Sequence, residues 1–282
     1  MKICKTIDEM RAASRAARHE GKRLGFVPTM GALHEGHLSL VRAAKAKCDV
    51  VAVSIFVNPL QFGPTEDLAK YPRTFDHDRD LLEKEAIDIL FAPTPEEMYP
   101  AGALTYVTVE GLSEKLCGRS RPGHFRGVTT VIAKLFHFVV PDVAFFGQKD
   151  AAQATIIRRM VQDLNMPVQI VVCPIVREPD GLAMSSRNAY LGQQERKSAR
   201  VLNRSLTEVQ NRFDRGERST ADLIRAGKQV LAQEPTVRLD YFEIVDPTTL
   251  DPIHEVAGSA LVAIAAFVGK TRLIDNVLVK PM

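Results

Sequence analysis

The feature that most limits what this chain can fold into is an alternation. Short, apolar, β-branched runs are separated by longer runs of helical period. After a first helix-like segment over residues 7–20, stopped at Gly21, residues 24–30 are apolar and punctuated by Pro28. Gly31 breaks that run and residues 38–47 resume with helical spacing. Residues 50–57 are again β-branched and apolar, 75–85 amphipathic and charged, 87–91 apolar. Further on, 128–140 reads as a buried helix, 143–146 as a strand, 151–164 as a helix and 168–172 as a strand, so that five strand-like runs accumulate. Buried strands alternating with helices imply a parallel sheet covered on both faces. After Pro174 the texture changes: helices rich in Arg, Gln and Glu (193–213 and 221–232) precede strands at 239–245 and 260–268. The expected architecture is α/β, with a doubly wound, Rossmann-like parallel-sheet domain over residues 1–175. A smaller α+β C-terminal domain over 176–282, able to act as a lid, follows.

With 282 residues the chain exceeds the usual single-domain size, and 45% hydrophobic with 25% charged residues excludes general disorder. A net charge of +3, with Lys and Arg spread along the chain, weakly suits an anionic ligand and does not demand nucleic acid. Cys4, Cys48, Cys117 and Cys173 are far apart with no Cys-x-x-Cys pair, and the first residues lack the apolar run of a signal peptide. A reducing cytosol is the expected compartment. The best membrane-span candidate, 260–268, has about half of the roughly 20 apolar residues a spanning helix needs, and reads as a buried strand.

Doubly wound sheets bind ligands beyond the carboxyl ends of their strands, where strand order reverses. The most informative segment lies there, between the first strand and the next helix: Met30, Gly31, Ala32, Leu33, His34, Glu35, Gly36 and His37. Free main-chain N–H groups and the helix dipole favour an anion at such a place. His34 and His37, three residues apart, share one face of the first turn, and their imidazole N–H groups can stabilise charge building on phosphate oxygens during attack at an α-phosphorus. A solvated or capping histidine is the plainer reading. A zinc pair is another, but the His-Glu-x-x-His motif needs i, i+4 spacing and a third ligand, and the local sequence offers neither.

Three further groups qualify. Gly147, Gln148, Lys149 and Asp150 follow another strand: Gly147 permits close backbone approach, Lys149 offers a point charge, and Asp150 can accept from ribose hydroxyls or cap the helix. Common loop composition explains them equally. Met184, Ser185, Ser186 and Arg187 follow the tight turn Asp180-Gly181 and supply hydroxyls and a guanidinium fork suited to a triphosphate, or else form a solvated loop. Asn58, Gln61 and Gln153 are amides among apolar residues, able to orient a substrate hydroxyl or simply satisfied by backbone. The run 119–127, with Arg119, Arg121, His124 and Arg126, could hold anions but reads by default as a solvated loop.

His-x-Gly-His after a first strand, with Met-Ser-Ser-Arg far downstream, resembles the signature pair of the nucleotidyltransferase superfamily. Within it the chain resembles the pantoate–β-alanine ligase (pantothenate synthetase) family, through 28–37, 56–62, 71–74, 123–128, 147–150, 184–188 and 269–276. His137 departs from the asparagine expected there. The resemblance implies that ATP adenylates pantoate with loss of diphosphate and that β-alanine then displaces AMP to give pantothenate, with Mg²⁺ carried by the ATP phosphates and no metal ligand from the protein. It implies an ATP site made of Met30 to His37, Gly147 to Asp150, Val176 and Met184 to Arg187, with His34 and His37 on the phosphates and His37 as proton donor. Gln61 and Gln153 would hold pantoate, Gln61 also meeting β-alanine; Pro28, Met30, Val131 and Ile132 would wall pantoate's methyl groups. A cytoplasmic homodimer, with neither nucleic acid nor membrane as partner, is implied too. The rivals are another adenylyl or cytidylyl transferase, an RNA-binding relative using Arg196, Arg200 and Arg204 on one helix face, and a catalytically silent scaffold.

Overall fold

The computed structural model describes residues 1–64 and 66–281, which divide into two compact units. The first contains residues 1–113, 121–147 and 156–174; the second contains 114–120, 148–155 and 175–282. In chain order the elements are β1 (Lys2–Cys4), α1 (Ile7–His19), β2 (Leu24–Thr29), α2 (Glu35–Lys45), β3 (Val50–Ile55), α3 (Phe75–Lys84), β4 (Ile89–Phe91), α4 (Pro95–Met98), α5 (Cys117–Ser120), α6 (His124–Val139), β5 (Val143–Gly147), α7 (Ala151–Asp163) and β6 (Gln169–Cys173). Then come α8 (Gln193–Ala199), α9 (Val201–Asp214), α10 (Thr220–Leu231), β7 (Val237–Val245), β8 (Ala260–Val268) and β9 (Thr271–Val279).

In the first unit, six parallel strands run in the order β1-β4-β3-β2-β5-β6. The chain builds outward from β2 through β3 and β4, then returns to place β5 on the other side of β2. Strand order therefore reverses between β2 and β5, and the segments leaving their carboxyl ends are where this topology holds ligands. The core around α2 joins Val41 and Ala44 to Val51, Val53, Leu90, Val143 and Phe145, all buried. Burial on both faces explains why these strands are continuously apolar. The sheet is doubly wound α/β, as expected, with one strand beyond the five expected. β1 is three residues long and begins on Lys2, too short to carry a period.

In the second unit, β7, β8 and β9 form an antiparallel sheet against which α9 and α10 bury Leu202, Leu206, Val209, Phe213 and Leu223. Strand β9 lies outside the sequence expectation because Arg272, Asp275 and Asn276 interrupt its apolar pattern, and each is paired inside the unit. Arg272 holds Asp240 at 2.7 Å, Asp275 receives Arg177 at 2.7 Å, and Asn276 binds Gln148 at 2.9 Å. The expected single helix over 193–213 is two helices meeting at Arg200. Arg196 turns to Glu178 and Asp180, and Arg204 to Gln233, so these two arginines are engaged within the unit. All four cysteines are free thiols; burial raises those of Cys4, Cys48 and Cys173, which makes them poor nucleophiles. Among the described residues no helix is long and apolar enough to cross a membrane.

Candidate active site

The segment Met30 to His37 links the end of β2 to the start of α2, beside the reversal in strand order. Its main-chain N–H groups are almost all turned inward, which corrects the expectation of free donors. Gly31 N–H donates to Thr29 Oγ1 at 3.2 Å, Ala32 N–H to Asp78 Oδ2 at 2.8 Å and Leu33 N–H to Asp78 Oδ1 at 2.9 Å. Gly36 N–H donates to His34 Nδ1 at 3.1 Å and His34 N–H to His37 Nδ1 at 3.4 Å, while the N–H groups of His37 and Leu38 bond His34 O. Gly31 has φ +80° and a Cβ there would lie 3.0 Å from Asp78 Oδ2, so glycine is required both by conformation and by contact.

The side-chain donors of this segment are the imidazoles. His34 occupies the N-cap of α2, and its ring stacks on that of His37 with centroids 4.1 Å apart, which brings the pair onto one face as their spacing predicts. A neutral imidazole whose Nδ1 accepts a hydrogen bond carries its proton on Nε2, so both rings are set as Nε2–H donors. Glu35, between them, is exposed and turned to Arg42, which also holds Glu85.

Gln61 belongs to the same unit and to a closed polar network. Its Nε2 donates to Met30 Sδ at 3.0 Å and its Oε1 accepts from Asn58 Nδ2 at 3.0 Å. Asn58 is 1% exposed; it also donates to Gly127 O and accepts from Tyr99 OH at 2.8 Å, so both amides have fixed orientations. A Cβ on Gly127 would come within 2.2 Å of Leu60 O, which explains glycine where α6 crosses this turn. The run 119–127, expected as solvated loop, instead begins α6 and supports Gln61. His124 Nδ1 lies 2.8 Å from Gln61 O, Arg121 Nη1 lies 3.0 Å from His124 Nε2, and Arg121 forks onto Glu66 at 2.6 Å on each oxygen. Burial opposes ionisation of Glu66, but the Arg121 guanidinium outweighs it and holds the carboxyl below the usual glutamate range.

The second unit carries the other group. Lys149 sits in a tight turn, Gln148–Asp150, whose carbonyls at Gln148 and Lys149 both accept from Asn276 Nδ2 at 2.9 Å. Asp150 is exposed, Gln153 is half-buried on α7, and Gly147, at the end of β5 in the first unit, has open space beside its Cα. Arg177 pairs with Ala183 to form a small hairpin, closed further by Met184 N–H donating to Val176 O at 3.0 Å. Ser185 Oγ then accepts from Arg187 N–H at 3.3 Å, opening a turn over Ser186–Tyr190. Lys149, Ser185, Asn188 and Asp275 line one cleft of this unit. The hairpin is held from outside by Arg196, which bonds Glu178 Oε1 at 3.0 Å and Asp180 Oδ2 at 3.1 Å, and by the Arg177–Asp275 fork. Arg196 lowers the Glu178 carboxyl, whereas burial raises that of Asp275 against the pull of Arg177.

Sequence reasoning misses the supporting roles of Asp78, Tyr99, His124, Arg196 and Asn276 because each acts on a site segment through contacts that the local sequence does not show. The one available signal is a charged or amide residue interrupting an apolar face, as Asp78 does in α3 and Asn276 in β9. Among the described residues, no group of three or more His, Cys, Asp or Glu side chains is arranged to hold a metal ion.

The fold and the histidine segment define an α/β protein with two imidazoles beyond the carboxyl ends of a parallel sheet, the place where this topology holds ligands. The sequence model for pantoate-β-alanine ligase matches residues 2–278, and the chain belongs to that family. It is 58% identical over 280 residues to a pantothenate synthetase of Koribacter versatilis, covering 99% of this chain and 96% of that one. It is 60% identical to that of Acidobacterium capsulatum over 289 residues, covering 99% and 97%. The crystal structure of pantothenate synthetase from Thermus thermophilus superposes with a TM-score of 0.95 at 47% identity, covering all of both chains. A pantoate-β-alanine ligase from Francisella tularensis, crystallised with β,γ-ATP and β-alanine, superposes with a TM-score of 0.82 at 33% identity, covering 99% and 97%.

Proposed function

We infer that this protein condenses pantoate with β-alanine, using ATP, through a pantoyl adenylate. A pantoate carboxylate oxygen attacks the α-phosphorus and diphosphate leaves; the β-alanine amine then attacks the acyl carbon and AMP leaves with the oxygen it gained. A carboxylate resists amines until such a leaving group is attached. The observation that carries the reading is the stacked His34–His37 pair, both set as Nε2–H donors beside the strand-order reversal of a sheet in this family's fold. Donors fixed before the reaction stabilise phosphoryl charge without reorganising.

In this reading His34 and His37 bind phosphate oxygens and His37 is the proton donor. Met30 to His37, Gly147 to Asp150, Val176 and Met184 to Arg187 line the ATP site, where Lys149 and Arg187 meet the triphosphate. Gln61 holds a pantoate hydroxyl and lies near β-alanine, and Gln153 holds pantoate; the fixed amide of Gln61 favours this role. Mg²⁺ would come bound to the ATP phosphates, where it would offset their negative charge. The donor set fits that arrangement, because among the described residues no group of three or more His, Cys, Asp or Glu is arranged to hold a metal, and both oxygens of the buried Asp78 accept N–H groups. Residues 176–282 serve as a lid on a 1–175 nucleotide and pantoate domain, and the protein works as a cytoplasmic homodimer without nucleic acid or membrane partners.

The test is product analysis with purified protein. AMP and diphosphate should form only when pantoate, β-alanine and ATP are all supplied in turnover; ADP and phosphate as products would refute the reading.

A further inference from the structure

We propose that Asp78 is the positioning residue of the histidine segment: it fixes the Gly31–Leu33 turn so that imidazole N–H groups, and not main-chain N–H groups, face the anion. The proposal rests on the adenylation reading above and specifies how that site is built.

Asp78 is fully buried, in the first turn of α3, more than forty positions from the segment it holds. Its two oxygens accept from Ala32 N–H, Leu33 N–H and the Thr74 hydroxyl at 2.8, 2.9 and 3.1 Å. Ala32 has φ +50°, a left-handed conformation that a residue with a Cβ keeps only when its surroundings impose it. The Asp78 bonds to Ala32 and Leu33 impose it, and Gly31 packs directly on Asp78 Oδ2. Two consecutive left-handed residues then deliver His34 to the extended N-cap conformation (φ −144°) from which its Nδ1 reaches Gly36 N–H. Only an acceptor at both positions can do this. Asparagine has the same shape but would turn an NH₂ donor onto one of the two N–H groups.

Asp78→Asn is therefore the discriminating variant, assayed by pantoate-dependent exchange of labelled diphosphate into ATP. Misaligned imidazoles lower kcat about 30-fold or more, while the released N–H groups still bind phosphate and leave KM for ATP within about threefold. In nucleotide-free protein, the imidazole ¹⁵N shifts of His34 and His37 move from the Nε2–H pattern of the wild type toward a tautomer mixture. If Asp78→Asn does not fold, Thr74→Val removes one partner of the carboxylate and gives a smaller loss, about threefold in kcat with KM unchanged. A folded Asp78→Asn protein with wild-type kcat and unmoved ¹⁵N shifts overturns the proposal, as does an unchanged kcat in Thr74→Val should Asp78→Asn fail to fold. Absence of exchange in the wild type would instead overturn the adenylation reading, and the ¹⁵N shifts would still judge Asp78.

Discussion

The histidine segment of the first unit and the 176–187 hairpin of the second are both loops proposed to bind nucleotide, yet they are held by different means. The first is fixed by main-chain N–H groups bonded to a buried carboxylate, two imidazoles and a hydroxyl. The second is held by ion pairs, the partly exposed one of Arg196 with Glu178 and Asp180 and the fork of Arg177 onto the buried Asp275. Hydrogen bonds sealed from water are short-ranged and little screened, whereas partly exposed ion pairs weaken with salt and acid. The first region suits chemistry that needs donors in place beforehand; the second is the one whose hold responds to salt and acid.

The comparison can be broken by substitution. The largest effect is expected from His37→Ala: a fall of about 10²–10³-fold in kcat in a protein that still folds. Wild-type turnover in that variant would remove the preset donors from the chemistry. Next is Arg196→Ala, which leaves Glu178 and Asp180 facing each other; KM for ATP should rise about tenfold, roughly 1.4 kcal/mol of binding, with kcat within threefold. A kcat loss at constant KM would make the hairpin a catalytic element and not a binding one. Smaller again is Tyr99→Phe, which strips Asn58 Oδ1 of a hydrogen bond and should cost about 1 kcal/mol in denaturant titration while weakening pantoate severalfold.

The smallest effect sharpens the contrast through pH. Glu178 is depressed, chiefly by its bond to Arg196, so its stabilising contribution is complete above the ordinary glutamate pKa and disappears as pH falls through the depressed value. Melting temperatures measured from pH 7 down to 3 should therefore fall less steeply in Glu178→Gln than in the wild type. Equal slopes would show that the ion pair does not couple the hairpin to stability.

What the sequence makes legible follows the same division. The parallel core reads directly, because strands buried on both faces are continuously apolar, as in Val50–Ile55. The candidate reactive segments are proposed from His34, His37, Lys149 and Arg187, types whose chemistry is local. What stays hidden depends on contacts between remote residues. β9 is obscured by polar residues satisfied from elsewhere, and β1 by its brevity. Inward-turned N–H groups cannot be inferred from Met30 to His37 alone, since their acceptor is Asp78. The solvated-loop reading of 119–127 failed for the same reason: Arg121 and His124 look free until Glu66 and Gln61 O are set beside them.

The most direct test of the central claim uses pantoate labelled with ¹⁸O in its carboxylate. If the carboxylate attacks the α-phosphorus and the amine then displaces AMP, each AMP carries one labelled oxygen and pantothenate keeps the other. Unlabelled AMP, or label appearing in inorganic phosphate, would contradict it.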